Sequence, residues 1–139
     1  LITHINKSLH SSEKKWKINL DCCDIILDID TMMSCGMIIN ELTTNFIKHA
    51  QSANIPILNI ILNKHSETRL LLQISDNGRP LLHPLNIENP KTLGLQLVTS
   101  FIHKLSGKLT TNFEKGVHYS IDFPKPTLKK INIHSLQTH

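Results

Sequence analysis

Residues 30–50 constrain this chain more than any other stretch. Asp30 or Thr31 can cap a helix there, and Cys35, Ile39, Leu42, Phe46 and Ala50 then follow at gaps of 4, 3, 4 and 4. Those gaps put all five on one side of the helix, and such a side needs another layer to cover it. Glu41, Thr44, Asn45 and Lys48 fall on a different side, within roughly 100° of one another at the helical rotation per residue. The same helix therefore has an apolar face to bury and a second face carrying a carboxylate, an amide and an ammonium.

Around it the periodicity changes from 3.6 to 2. Trp16, Ile18 and Leu20 alternate with Lys17 and Asn19, which predicts a half-buried strand, and residues 25–29 are a second short strand candidate. Residues 57–63 and 69–75 read as neighbouring strands joined by polar His65-Ser66-Glu67. Residues 108–112 and 117–123 read as a hairpin across Glu114-Lys115-Gly116. Before the first strand, Leu1, Ile5 and Leu9 stand at i, i+4 spacing and predict a short helix over residues 1–10. After Asp76-Asn77-Gly78 come Pro80, Pro84 and Pro90, so an irregular loop of about fifteen residues is expected, of the kind that forms functional lids. Gly94 opens an apolar helix through Leu95, Leu97, Val98, Phe101, Ile102 and Leu105, and Gly107 is placed to stop it.

The chain has 139 residues, 40% of them hydrophobic and 19% charged, which fits one globular domain and excludes a disordered or collagen-like chain. Its longest apolar runs, within residues 55–62 and 70–74, are far too short for a membrane span. No signal peptide is read at the start, where His4, Asn6 and Lys7 interrupt the apolar residues. The first residue is not Met, so a piece of a longer protein, with any membrane anchor elsewhere, is the expectation. A net charge of +4 invites a nucleic-acid reading, but aromatics are only 4% and lysines cluster only at Lys14-Lys15-Trp16-Lys17 and between Lys125 and Lys130. Base stacking needs aromatics, so no nucleic-acid partner is expected; a phosphate-bearing small ligand explains mild basicity equally well. Three cysteines, Cys22, Cys23 and Cys35, lack zinc-type spacing and point to reduced thiols in a cytoplasmic setting.

Three short motifs carry chemistry, and each has an ordinary reading beside it. Glu41 and Asn45, four apart on one helical face, suit a hard cation such as Mg²⁺ with its waters, and Lys48 one turn on suits a phosphate; a plain solvated surface would look the same. Asp76 at a strand end can accept from an amino group with Gly78 allowing close approach, yet Asn-Gly is also a common turn. Thr92-Leu93-Gly94-Leu95 can offer backbone N–H groups to a phosphate, or simply start a helix. Their joint order is far more specific than any one of them.

In that order the sequence resembles the ATP-binding catalytic domain of sensor histidine kinases, in the superfamily shared with gyrase and mismatch-repair ATPases. The stretch from Leu27-Asp28-Ile29-Asp30 through Ile38-Ile39-Asn40-Glu41-Leu42-Thr43-Thr44-Asn45-Phe46-Ile47-Lys48-His49-Ala50 resembles the N box of the subgroup with the pattern INELxxNxxKHA. Ile74-Ser75-Asp76-Asn77-Gly78 resembles the first glycine box, and Thr92-Leu93-Gly94-Leu95-Gln96-Leu97-Val98 with Leu105-Ser106-Gly107 the second. The resemblance covers residues 13–124. It implies a Bergerat-type α/β (α+β) two-layer sandwich, a mixed sheet with helices on one face, holding ATP between helix and lid. Residues 1–12 would then be a connector helix from a dimerisation and phosphoacceptor domain, and residues 125–139 a tail or linker.

Carried over by position, the resemblance implies Asn45 as a Mg²⁺ ligand with Glu41 near the metal, and Glu41 and Lys48 as the catalytic groups. Lys48 and His49 would contact phosphate, Asp76 with Gly78 would read the adenine amino group, and Leu93, Gly94 and Leu95 would lie at the phosphates; Arg79, which departs from the family pattern, would compensate as a phosphate or lid contact. The implied cofactors are ATP and Mg²⁺. The implied partners are a phosphoacceptor histidine domain of the same protein and a response regulator, within a homodimeric parent. No segment resembling that phosphoacceptor domain is present, so this chain alone should bind ATP without completing autophosphorylation. The chain departs from the pattern in two places: Arg79-Pro80 stands where a second glycine is usual, and Gly116-Val117 where Gly-Thr is common. Those departures motivate the alternative of a nucleotide-binding regulatory module with degenerate kinase activity. A stand-alone serine kinase of the anti-sigma type shares the N box and is the other alternative.

Overall fold

The computed structural model describes residues 3–5, 16–49, 55–78 and 86–128. Six strands and two helices follow one another as β1 (Thr3–Ile5), β2 (Lys17–Cys22), α1 (Ile29–His49), β3 (Ile57–Lys64), β4 (Arg69–Asp76), α2 (Leu93–Lys104), β5 (Lys108–Asn112) and β6 (His118–Pro124). The strands form one sheet in the order β1-β2-β3-β4-β6-β5. Among the described residues only β2 and β3 run parallel, because α1 carries the chain back between them; the other pairings there are antiparallel.

Alternation decides which face of the sheet is covered. Leu58 and Ile60 on β3, Leu70, Leu72 and Ile74 on β4, and Tyr119, Ile121 and Phe123 on β6 are all buried on one face. Against them pack Ile38, Leu42 and Phe46 of α1 and Leu95, Val98 and Ile102 of α2. The result is a mixed sheet with helices on one face, as expected. Its opposite face presents the other residue set, including the Asn19–Asn59 side-chain hydrogen bond of 2.9 Å.

Three local expectations are corrected. Where a helix was expected over residues 1–10, Thr3–Ile5 is a strand, paired with β2 through Thr3↔Leu20, His4↔Asn19 and Ile5↔Ile18. Three apolar residues at helical spacing are a weak local preference, and the open edge of β2 offers a row of backbone groups to pair with. The remainder of that stretch lies outside the described residues, as do Ala50 and residues 129–139. Residues 25–28 form no strand. Instead Asp28 ends the irregular segment by capping α1: its Oδ1 accepts the Thr31 N–H at 3.1 Å, and its carbonyl accepts the Met32 N–H at 3.0 Å. The cap is thus Asp28 rather than Asp30 or Thr31.

That earlier start does not move the buried stripe, but its centre differs from the expected one. Ile38 is fully buried and Ile39 only partly, so the stripe runs through Cys35, Ile38, Leu42 and Phe46. At the far end of α2, Gly107 does help to stop the helix, though not through its own backbone angle. The positive φ of 53° falls on Ser106, and the Gly107 N–H bonds the Ile102 carbonyl at 2.9 Å.

Candidate functional site

Asp76 ends β4 on its covered face, in step with Leu70, Leu72 and Ile74. One of its carboxylate oxygens is held by the backbone on both sides. Oδ1 accepts the Gly78 N–H at 2.8 Å and the Val117 N–H at 3.1 Å, while the Asp76 N–H donates to the Val117 carbonyl at 3.0 Å. Val117 lies in the turn before β6, so the β5–β6 hairpin and the end of β4 are clasped at this carboxylate. Gly116 makes the clasp possible. Its φ is +95°, and a Cβ there would stand 2.5 Å from Asp76 Oδ1 and 2.8 Å from the Asp76 carbonyl oxygen.

Asn77 does not join Asp76. Its side-chain oxygen accepts the Ile57 N–H at 2.7 Å, its amide donates to the Ile55 carbonyl at 3.3 Å, and its own N–H reaches the Ile57 carbonyl at 3.1 Å. Asn77 therefore fastens the start of β3 to the end of β4 and leaves Asp76 as the group facing inward.

On α1, Glu41 and Asn45 are half-buried and Lys48 and His49 exposed. Since β2 and β3 are parallel, α1 runs back against them, and its C-terminal half lies towards the β3 start. The register Leu58↔Asp76 places Asp76 at that same end. Glu41 also touches the second helix. A Cβ on Gly94 would lie 2.6 Å from Glu41 Oε2, so a larger residue there would make the flexible end of Glu41 shift. Thr92 caps α2, its hydroxyl accepting the Leu95 N–H at 3.3 Å. Leu95 itself is 4% exposed and belongs to the core, whereas Leu93 is exposed. Arg79 lies outside the described residues.

The folding thus brings Glu41 and Gly94 into contact and Asp76 and Gly78 into a hydrogen bond, with both pairs at one end of the sheet. Sequence reasoning missed two members of this arrangement. Gly116 read only as a turn residue, and its contact with Asp76 is a long-range one that no local pattern encodes. Val117 drew attention for standing where a threonine is common, whereas its backbone N–H and carbonyl make the contact. A separate cavity of about 350 Å³ between α2 and β5, lined by Ile87, Glu88, Thr99, Ile102, Leu109 and Thr111, contains none of the residues expected in the site.

The donor set at the helix is a carboxylate and an amide oxygen from residues four apart. That set fits a hard divalent cation, which takes oxygen ligands, and the missing Cβ at Gly94 lets the Glu41 carboxylate lie against the start of α2. Among the described residues there is no group of three or more His, Cys, Asp or Glu that would hold a metal without other ligands. No described helix is long and apolar enough to cross a membrane.

Comparison with known proteins points one way. No protein-family model matches the chain. Over 96 residues, 69% of this chain, it is 25% identical to the sensor histidine kinase ComP of Bacillus subtilis, of which it spans 12%. The histidine kinase domain of the blue-light activated histidine kinase from Erythrobacter litoralis superposes over 78% of this chain and 51% of its own, at a TM-score of 0.70 and 22% identity. The Acinetobacter baumannii histidine kinase AdeS superposes over 82% of this chain and 56% of its own, at 0.65 and 19%. A mycobacterial sensor histidine kinase, MprB, superposes over 80% of this chain and 86% of its own, at 0.58 and 18%. The mixed sheet with helices on one face is the fold of these solved histidine kinase domains, a Bergerat-type α/β sandwich.

Proposed function

We propose that this domain binds Mg·ATP and transfers the γ-phosphoryl group to a histidine on a separate dimerisation domain. It would act as the catalytic domain of a two-component sensor histidine kinase. The observation that carries the reading is the clasp at Asp76. One carboxylate oxygen is fixed by two backbone N–H groups, so the carboxylate is oriented in advance to accept from an amino group such as that of adenine. The contact of Glu41 with Gly94 supports it, since it sets the N-box face of α1 beside the start of α2.

In this reading Asn45 and Glu41 hold Mg²⁺, which when bound neutralises phosphate charge. Lys48 and His49, at the C-terminal turn of α1, reach towards phosphate from solvent. Gly94 and the exposed Leu93 offer α2 backbone N–H groups, whereas the Leu95 N–H is already taken by Thr92. Arg79 would add a phosphate or lid contact. Such a site works by positioning and charge neutralisation, the main contributions to phosphoryl transfer. The catalytic unit spans residues 13–124, and the phosphoryl group passes from the histidine of a homodimeric, cytoplasm-facing parent to a response regulator.

The test is calorimetric titration of Mg·ATP into this protein and into Asp76→Asn and Asn45→Asp variants. Saturable, Mg²⁺-dependent binding that Asp76→Asn weakens is the expected result. A folded sample that takes up no nucleotide at millimolar concentration would overturn the proposal in favour of a degenerate interaction module.

A further inference from the structure

The nucleotide reading leaves one buried polar group without a role. Tyr119 on β6 is 4% exposed, and its hydroxyl oxygen has no hydrogen-bond partner among the described residues. A phenylalanine would fill the same space without stranding a hydroxyl, so the extra oxygen calls for an explanation.

Register places Tyr119 beside the clasp. Tyr119 stands opposite Ile74, and the Asp76 N–H bond to the Val117 carbonyl continues the same ladder two residues on. Tyr119 and Asp76 are therefore diagonal neighbours on the covered face of adjacent strands, a separation that a long side chain spans. The Phe113 ring meets the Tyr119 ring edge-on, with centroids 6.1 Å apart and planes at 83°, which fixes the phenol from one side. Burial first, and the negative charge of Asp76 second, push the phenol up to about 12. At physiological pH it keeps its proton and serves as a donor.

We propose that Tyr119 is a specificity-determining residue, its hydroxyl donating to the ring-nitrogen acceptor beside the amino group that Asp76 accepts from. The inference rests on the nucleotide reading of Asp76. An acceptor and a donor side by side on one face complement a ligand edge with a donor beside an acceptor. The amidine edge of an aminopurine has that order, and the corresponding edge of an oxopurine reverses it.

ATP, GTP and 1-deaza-ATP, which carries carbon in place of that ring nitrogen, are titrated into the wild-type protein and Tyr119→Phe. Asp76→Asn serves as the reference variant. Tyr119→Phe should weaken ATP by roughly three- to tenfold, the worth of one hydrogen bond, and leave 1-deaza-ATP unchanged. It should also narrow the preference for ATP over GTP, and its thermal midpoint should be no lower than that of the wild type. Equal weakening of ATP and 1-deaza-ATP, or no weakening of either, overturns the proposal. If that happens while ATP binding still responds to Asp76→Asn, only the role of Tyr119 fails; if wild-type protein binds no ATP, the nucleotide reading fails with it. The wild-type protein alone gives a second decision, because equal affinity for ATP and 1-deaza-ATP also overturns the assignment.

Discussion

Replacing Gly116 with alanine tests the clasp at Asp76 most directly, and the structure sets the size of the effect. A φ of +95° lies outside the regions open to an L-residue, which costs about 1–3 kcal/mol. The added methyl would stand 2.5 Å from Asp76 Oδ1, 2.8 Å from the Asp76 carbonyl oxygen and 3.2 Å from the Gly78 nitrogen. Two of those neighbours are backbone and cannot swing aside. Relief requires the hairpin to move off β4, weakening the two Asp76–Val117 hydrogen bonds, each worth about 0.5–1.5 kcal/mol net. Reduced freedom of the unfolded chain returns about 0.4–1 kcal/mol. The expected loss is therefore about 2–5 kcal/mol, read as a fall in the denaturant midpoint at unchanged slope. Gly36→Ala is the internal control. Gly36 lies in the middle of α1 with nothing within 4 Å of an added Cβ, so alanine there should stabilise by roughly 0.5–1 kcal/mol. A Gly116→Ala protein within about 1 kcal/mol of the parent, or one no worse than Gly36→Ala, would refute the reasoning.

Further outcomes follow from the same geometry. Ile38→Ala should cost about 2–4 kcal/mol and Ile39→Ala distinctly less, because only Ile38 is fully buried; equal losses in denaturation would return the stripe to its sequence-derived centre. Asp122 is held below its ordinary value of 3.8, first by its hydrogen bond from Arg69 and then by the Arg69 charge and by His65. A depressed carboxylate stabilises the fold above its unfolded value and loses that contribution as pH falls through the folded one. Unfolding midpoints measured downward through the acid range should thus fall less steeply in Asp122→Asn than in the parent, and parallel curves would exclude the network. Burial raises the Cys35 thiol to about 11, so at neutral pH a maleimide should label exposed Cys22 and reach Cys35 only on unfolding. Mass spectrometry of the native sample showing prompt Cys35 labelling would contradict that placement.

Much of the fold was legible in the residues because much of it is periodic. The short apolar runs within 57–63 and 69–75 marked β3 and β4 to within a residue, and the 3.6 repeat marked both helices. Where the reading slipped, a local preference met a distant partner. Leu1, Ile5 and Leu9 had helical spacing, yet Thr3–Ile5 pairs with β2, and residues 25–28 had strand-like composition but lead into the Asp28 cap. One position on α1 also moved, since the centre of a buried stripe depends on the angle at which the sheet meets the helix.

For the site, the sequence by itself determined the chemical inventory: a carboxylate and an amide four apart on one helix, an aspartate at a strand end, and glycines after β4, after β5 and in the first turn of α2. Residue type and short-range spacing carry that information, because an α-helix and a β-strand fix which side chains share a face. Only the tertiary structure decided which of these groups meet. Glu41 lies 53 positions from Gly94 and Asp76 40 positions from Gly116, yet each pair is in contact. Contacts over such separations depend on strand register and helix crossing, which arise when buried surfaces from the whole chain are satisfied together. For that reason Gly116 read as an ordinary turn residue in the sequence and is part of the clasp in the fold.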